Sequence, residues 1–103
     1  MRVVLVGFFV LAFIVMPSLA FSKSLRGAML GNTCAGCHGT RGVSANSKIP
    51  PLAGQNPAEL ISVMLAYRDG SRKGTIMNRV AKGYSDDEIN AIAEYFGSFR
   101  TEK

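Results

Sequence analysis

Apolar residues are laid out along this chain in two ways: one unbroken run near the start, and helical stripes after it. Val3 to Val15 is continuously apolar, with Arg2 before it and "PSLA", carrying small residues at Ser18 and Ala20, behind it. A positive start, a short apolar centre and a small-residue site are the marks of a secretory signal. Residues 1–20 are therefore expected to be a signal peptide, and residues 21–103 the domain that folds. Left uncleaved, Val3 to Phe21 is just long enough to span a bilayer, the one circumstance in which a membrane becomes a partner.

Beyond the leader the period changes to that of the α-helix. "SKSLRGAML", Ser22 to Leu30, reads as a short helix with Ser22 or Ser24 as N-cap and Leu25, Ala28 and Met29 on one face, broken by Gly31 and Asn32. Gly39 to Gln55 is rich in Gly, Ser, Asn and Pro and reads as loop. "NPAELISVMLAYRDG" restores order, with Asn56 as N-cap, Pro57 at the first position, Gly70 past the end, and Leu60, Ile61, Met64, Leu65 and Tyr67 at helical spacing. "SRKGTIMNRVAKGY" is a basic, glycine-punctuated loop with a turn around Met77 to Ala81. "SDDEINAIAEYFGSF" is a last helix, opened by a Ser85/Glu88 capping box, with Ile89, Ile92, Ala93 and Phe96 on its apolar face. No segment alternates with the period of a strand. The fold class is all-α.

Length sharpens the picture. Of 103 residues, those after the leader form one small domain. A domain of that size buries only about 60% of its unfolded surface and commonly needs an internal staple. A bridge between Cys34 and Cys37 closes too small a loop to serve. The net charge is +5, or +4 once Arg2 leaves with the leader. This excess suits an acidic protein surface rather than nucleic acid, which an exported domain rarely meets.

Both cysteines and the only histidine lie within "CAGCH", Cys34 to His38. Cys-x-x-Cys-His is the attachment signature for c-type haem. Two thiols at this spacing can each add to one haem vinyl group, and the next residue is then carried beneath the iron, where an imidazole nitrogen can ligate it. Three other readings compete. A thioredoxin-like pair needs a βαβ setting that is absent here. A structural zinc site needs a fourth Cys or His that the chain lacks. A plain disulfide suits an oxidising compartment but leaves the histidine unexplained. One covalently attached haem c also supplies the missing core.

With no second histidine, the other axial ligand is expected to be a thioether. Met29 and Met64 lie in helical stripes, where methionine is ordinary core filler. Met77 lies in an irregular segment and is the first candidate on position, with Met64 behind it. His/Met ligation closes the iron and suits outer-sphere electron transfer. An open or labile sixth site points instead to a haem enzyme or a gas-binding protein. A haem-ligating histidine usually donates its other N–H to a fixed acceptor, and the Pro50 carbonyl in "IPPL" is the candidate, though the two prolines equally serve to stiffen the loop. Arg68, Arg72, Lys73, Arg79 and Lys82 gather around Met77, either as ordinary solvated charge or as a positive rim for an acidic partner. Gly27 and Ala28 let the first and last helices approach closely, and Tyr67, Tyr84, Tyr95, Phe96 and Phe99 pack against haem or between helices.

"CAGCHGTRG", "PPLAGQ" and "TIMNRVAKGYSDDEINAIAEYF" together resemble the small class I c-type cytochromes, and the last stretch is most similar to the haem subunits of flavocytochrome c sulfide dehydrogenases. The resemblance implies helices wrapped around one haem, with Cys34 and Cys37 as attachment sites, His38 as proximal ligand and Met77 as distal ligand. It also implies a periplasmic electron-transfer role, taking electrons from a flavoprotein subunit that oxidises sulfide and passing them to a soluble carrier. The alternative is a free-standing carrier serving another dehydrogenase or an oxidase. A single Cys-x-x-Cys-His rules out the haem-to-haem relay of two-haem relatives. The chain has no Gly-x-Gly-x-x-Gly motif, so sulfide chemistry belongs to a partner and the chain is no enzyme by itself.

Overall fold

The computed structural model describes residues 21–99, and the expected signal peptide lies outside them. Among the described residues every regular element is helical. Residues 21–31 form helix α1, followed by a 3-10 turn (Asn32–Cys34) and helix α2 (Ala35–His38). A second 3-10 turn (Thr40–Gly42) leads into an irregular stretch, and then come α3 (Pro57–Asp69), α4 (Met77–Ala81) and α5 (Asp86–Gly97). The all-α expectation holds.

The start of the domain departs from its pattern in two respects. Ser22 and Ser24 lie within α1 rather than at its cap. Gly31 does not break the helix either: its φ of −63° is helical, and the chain tightens into the 3-10 turn and continues into α2. The inward face is also different. Leu25 and Met29 are exposed, while Gly27 and Gly31 are buried and Leu30 packs on the core. The reason is the crossing with α5. A Cβ on Gly31 would lie 2.3 Å from Cδ1 of Tyr95, and one on Gly27 would lie 2.9 Å from the Ala91 carbonyl oxygen. Two glycines four residues apart make a groove that admits the Tyr95 ring, so the contact face is set by absent side chains rather than by apolar ones.

Both long helices begin and end as their sequences dictate. Asn56 Oδ1 accepts from the Ala58 N–H at 2.8 Å, Pro57 needs no partner for a missing N–H, and Gly70 closes α3 at φ 86°. At α5, Ser85 Oγ accepts from Glu88 N at 3.3 Å, and Glu88 Oε1 accepts from Ser85 N at 3.0 Å. The apolar face of α5 is buried as its spacing requires, with Ile89, Ile92, Ala93 and Phe96 all inside. Leu60 of α3 completes the cluster, and Leu30, Cys34, Leu52, Ile61, Tyr84, Tyr95 and Phe99 pack around it. Tyr95 meets both Phe96 and Phe99 edge to face. By contrast, Ile61, Met64 and Leu65 of α3 are only half-buried.

The capping box makes the stability of α5 pH-dependent. Hydrogen bonds from the Ser85 backbone and then its side chain, with the Arg26 charge behind them, hold the Glu88 carboxyl below the usual glutamate range. A depressed folded value means the stabilisation is complete above the unfolded value and is lost as pH falls through the folded one. Glu88→Gln keeps an acceptor but not the charge. It is expected to flatten the fall in urea midpoint between neutral pH and a pH below about 4, and equal slopes in variant and wild type would refute this.

Candidate functional site

The site is built where α2 ends. Cys34 closes the 3-10 turn, Cys37 lies in α2, and His38 is its last residue. Cys34 is half-buried against the core cluster, Cys37 is exposed, and the two are free thiols. Burial pushes the Cys34 thiol above its ordinary range; the Thr33 hydroxyl opposes that push and the neighbouring Cys37 adds to it. Thr33 Oγ1 donates to the Leu30 carbonyl at 2.6 Å, so in its contact with Tyr84 at 2.7 Å the phenol is the donor. That bond ties the cysteine cassette to the segment just ahead of α5.

His38 is 9% exposed, and its Nδ1 lies 2.7 Å from the Pro50 carbonyl oxygen. A carbonyl only accepts, so Nδ1 carries the proton and Nε2 keeps its lone pair. The tautomer is therefore the one a metal ligand needs. This contact is the acceptor expected of Pro50, and its cause lies in the turn after α2. The Gly42 carbonyl accepts from Leu52 N at 2.8 Å and from Ala53 N at 3.2 Å, which docks the proline segment against that turn. Gly54 N in turn donates to the Phe96 carbonyl at 2.9 Å, fastening the same segment to α5.

Met77 is half-buried and opens α4, the short helical turn expected over Met77 to Ala81. The basic rim is smaller than the sequence suggests. Arg68 is ion-paired with Asp86 and donates to the Tyr84 carbonyl at 3.1 Å, while the Arg72 guanidinium stands 5.3 Å from the centroid of the Tyr67 ring. Lys73, Arg79 and Lys82 are exposed. Tyr67 accordingly packs with its own loop, whereas Tyr84, Tyr95, Phe96 and Phe99 join the core.

Among the described residues no three of His, Cys, Asp and Glu converge as a metal site. The donor chemistry fits haem c instead: two unbridged thiols at the attachment spacing, followed by a buried imidazole with one nitrogen committed and the other available. Sequence reasoning missed Gly31, Gly42 and Asn78. The first two bear on shape that only tertiary contact reveals, and Asn78 bonds backbone groups up to 11 residues away.

A helical domain with a Cys-x-x-Cys-His cassette of this geometry is a haem-attaching electron-transfer domain. The family described as cytochrome c oxidase, cbb3-type, subunit III matches residues 27–96. The chain is 43% identical to the cytochrome subunit of sulfide dehydrogenase of Chlorobaculum tepidum, over 80% of this chain and 74% of that one. It is 41% identical to the thiosulfate dehydrogenase electron acceptor of Stutzerimonas stutzeri, over 73% of this chain and 37% of that one. It is 45% identical to cytochrome c-554(548) of Halomonas halodenitrificans, over 64% of this chain and 83% of that one. The chain belongs to the c-type cytochrome family, whose cofactor is covalent haem c and whose work is electron transfer between redox partners. Among the described residues no helix is long and apolar enough to cross a membrane.

Proposed function

We propose that this protein is the exported, electron-accepting haem subunit of a sulfide-oxidising flavoprotein complex. Cys34 and Cys37 would hold the haem through thioether links, and His38 and Met77 would ligate its iron. When bound, haem c supplies a one-electron Fe(III)/Fe(II) couple. The chain's own contribution is positional: the Pro50 carbonyl fixes the His38 ring, and Met77 would be the second residue to hold the iron, leaving no site for a small molecule. The observation that supports His38 as a ligand is its burial, one residue past Cys37, with Nδ1 bonded to Pro50 at 2.7 Å; Met77 rests on the family resemblance. The likeness to a cytochrome subunit of sulfide dehydrogenase supports the choice of partner.

Purification from cells that export and attach haem is the test. The protein is expected to co-elute with a flavoprotein, and the pair to reduce the haem on addition of sulfide. A haem protein that elutes alone and stays oxidised with sulfide and flavoprotein, yet is reduced by another dehydrogenase, is a free-standing carrier. Ready carbon monoxide binding by the ferrous protein at neutral pH would overturn the closed sixth position.

A further inference from the structure

Asn78 is the second residue of α4, directly after Met77. Its Nδ2 donates to the Tyr67 carbonyl at 2.9 Å and to the Arg72 carbonyl at 2.7 Å, and its Oδ1 accepts from the Gly74 N–H at 2.9 Å. An amide offers two donors and an acceptor, and all three kinds of bond are made here to backbone. The Tyr67 carbonyl is one of the last four of α3, which have no partner inside their own helix. Asn78 therefore caps α3 and pins the loop 70–76 in a single arrangement.

The rest of that loop is tight against the same helix end. Arg72 N donates to the Ala66 carbonyl at 3.1 Å, and a Cβ on Gly74 would come within 2.8 Å of the Tyr67 ring. Met77 is the residue through which this loop passes into α4. A thioether is a neutral ligand with no charge to hold it on a metal, so its place depends on the chain that carries it.

We propose that Asn78 is the positioning residue for Met77, an inference that rests on Met77 being the sixth ligand. With the amide in place the loop has one geometry and the sulfur stays at its post. Without it, the loop opens and the fraction of molecules with Met77 detached rises. An added ligand competing for that position binds in proportion to the detached fraction.

The experiment uses the haem-loaded ferric protein, with imidazole as the competing ligand and the weak near-red absorption band as the signature of iron bound to sulfur. Asn78→Ala is expected to bind imidazole at least about tenfold more tightly than wild type. Asn78→Asp keeps the acceptor for Gly74 but loses both donors; it is expected to move the same way, and it carries the test if the alanine variant does not fold. Asn56→Ala removes the N-cap at the other end of α3. It is expected to lower thermal stability while leaving imidazole affinity within about twofold of wild type, as independent sites do. Unchanged imidazole affinity in both Asn78 variants overturns the proposal, as does an equal gain in Asn56→Ala, which would make the effect one of general stability. If the wild-type band is absent, or survives in Met77→Ala, the ligand assignment itself falls and the proposal with it. A band lost in Met77→Ala, with imidazole affinity unchanged in both Asn78 variants, overturns the positioning role alone.

Discussion

A Cys34→Ala/Cys37→Ala variant, produced in cells that attach haem, is expected to release all of its pigment when denatured in acid, whereas the wild-type chain keeps its pigment through the same treatment. Both sulfur links are gone in the variant, so only the proposed ligands His38 and Met77 would remain to hold the group, and neither bond would survive unfolding. Mass measurement after denaturation checks this. A wild-type mass equal to bare polypeptide, or a double variant that keeps its pigment, would end the thioether assignment. The single variants are expected to differ in stability because their settings differ. Cys34 is half-buried against the Leu60, Ile92, Ala93 and Phe96 cluster, whereas Cys37 is exposed. Losing the Cys34 sulfur forfeits packing worth about 1 kcal/mol, while losing that of Cys37 costs the polypeptide fold little. Urea midpoints of the two singles, each carrying haem through its remaining cysteine, measure the difference.

How far this architecture is legible in the order of residues depends on the range of the interaction involved. α5 is readable almost to the atom, because its cap, its acidic first turn and its apolar face are all local: Ser85 meets Glu88 three residues away, and Ile89, Ile92, Ala93 and Phe96 recur on one side of a 3.6-residue helix. α3 is readable for the same reason, through Asn56, Pro57 and Gly70. The Cys34, Cys37 and His38 cassette is legible because haem chemistry itself dictates the spacing. α1 is not. Its apolar residues suggest a face through Leu25 and Met29, yet the helix turns Gly27 and Gly31 inward because Tyr95, more than sixty positions later, needs the room. A moment drawn from hydrophobicity counts side chains and has no term for a groove.

The middle of the chain shows the opposite balance. From Gly39 to Gln55 composition says only that the segment is loop, but its conformation is as determined as that of any helix. The Gly42 carbonyl holds Leu52 and Ala53, and Pro50 is thereby brought to His38. "IPPL" pointed to the acceptor through the rigidity of proline; nothing in the sequence pointed to the glycine that delivers it. Asn78 is similar, since an asparagine beside a methionine carries no pattern until α3 ends next to it. His38 and the residue after Met77 are thus each bonded to backbone from another part of the chain.

Gly42→Ala is expected to destabilise the protein by about 2–5 kcal/mol. Two effects combine. The φ of Gly42 is 76°, a left-handed conformation that costs an L-residue about 1–2 kcal/mol. A Cβ there would also lie 2.7 Å from Ala53 N, 2.9 Å from Cδ1 of Phe96 and 3.0 Å from Cβ of Leu52. None of these is the free end of a flexible side chain, so relief requires moving backbone or the buried Phe96 ring, and overpacking of that kind costs about 1–3 kcal/mol. Gly70 separates the two effects. Its φ is 86°, yet a Cβ added there meets nothing within 4 Å, so Gly70→Ala carries only the conformational cost of about 1–2 kcal/mol. Against a total stability of about 5–15 kcal/mol for a domain, the Gly42 change is a large fraction and the Gly70 change a small one. Urea unfolding of both variants, with unchanged slopes showing that the denatured states are comparable, measures the gap. A midpoint for Gly42→Ala no lower than that for Gly70→Ala means that the contact among Gly42, Leu52, Ala53 and Phe96 does not hold the proline segment beneath His38.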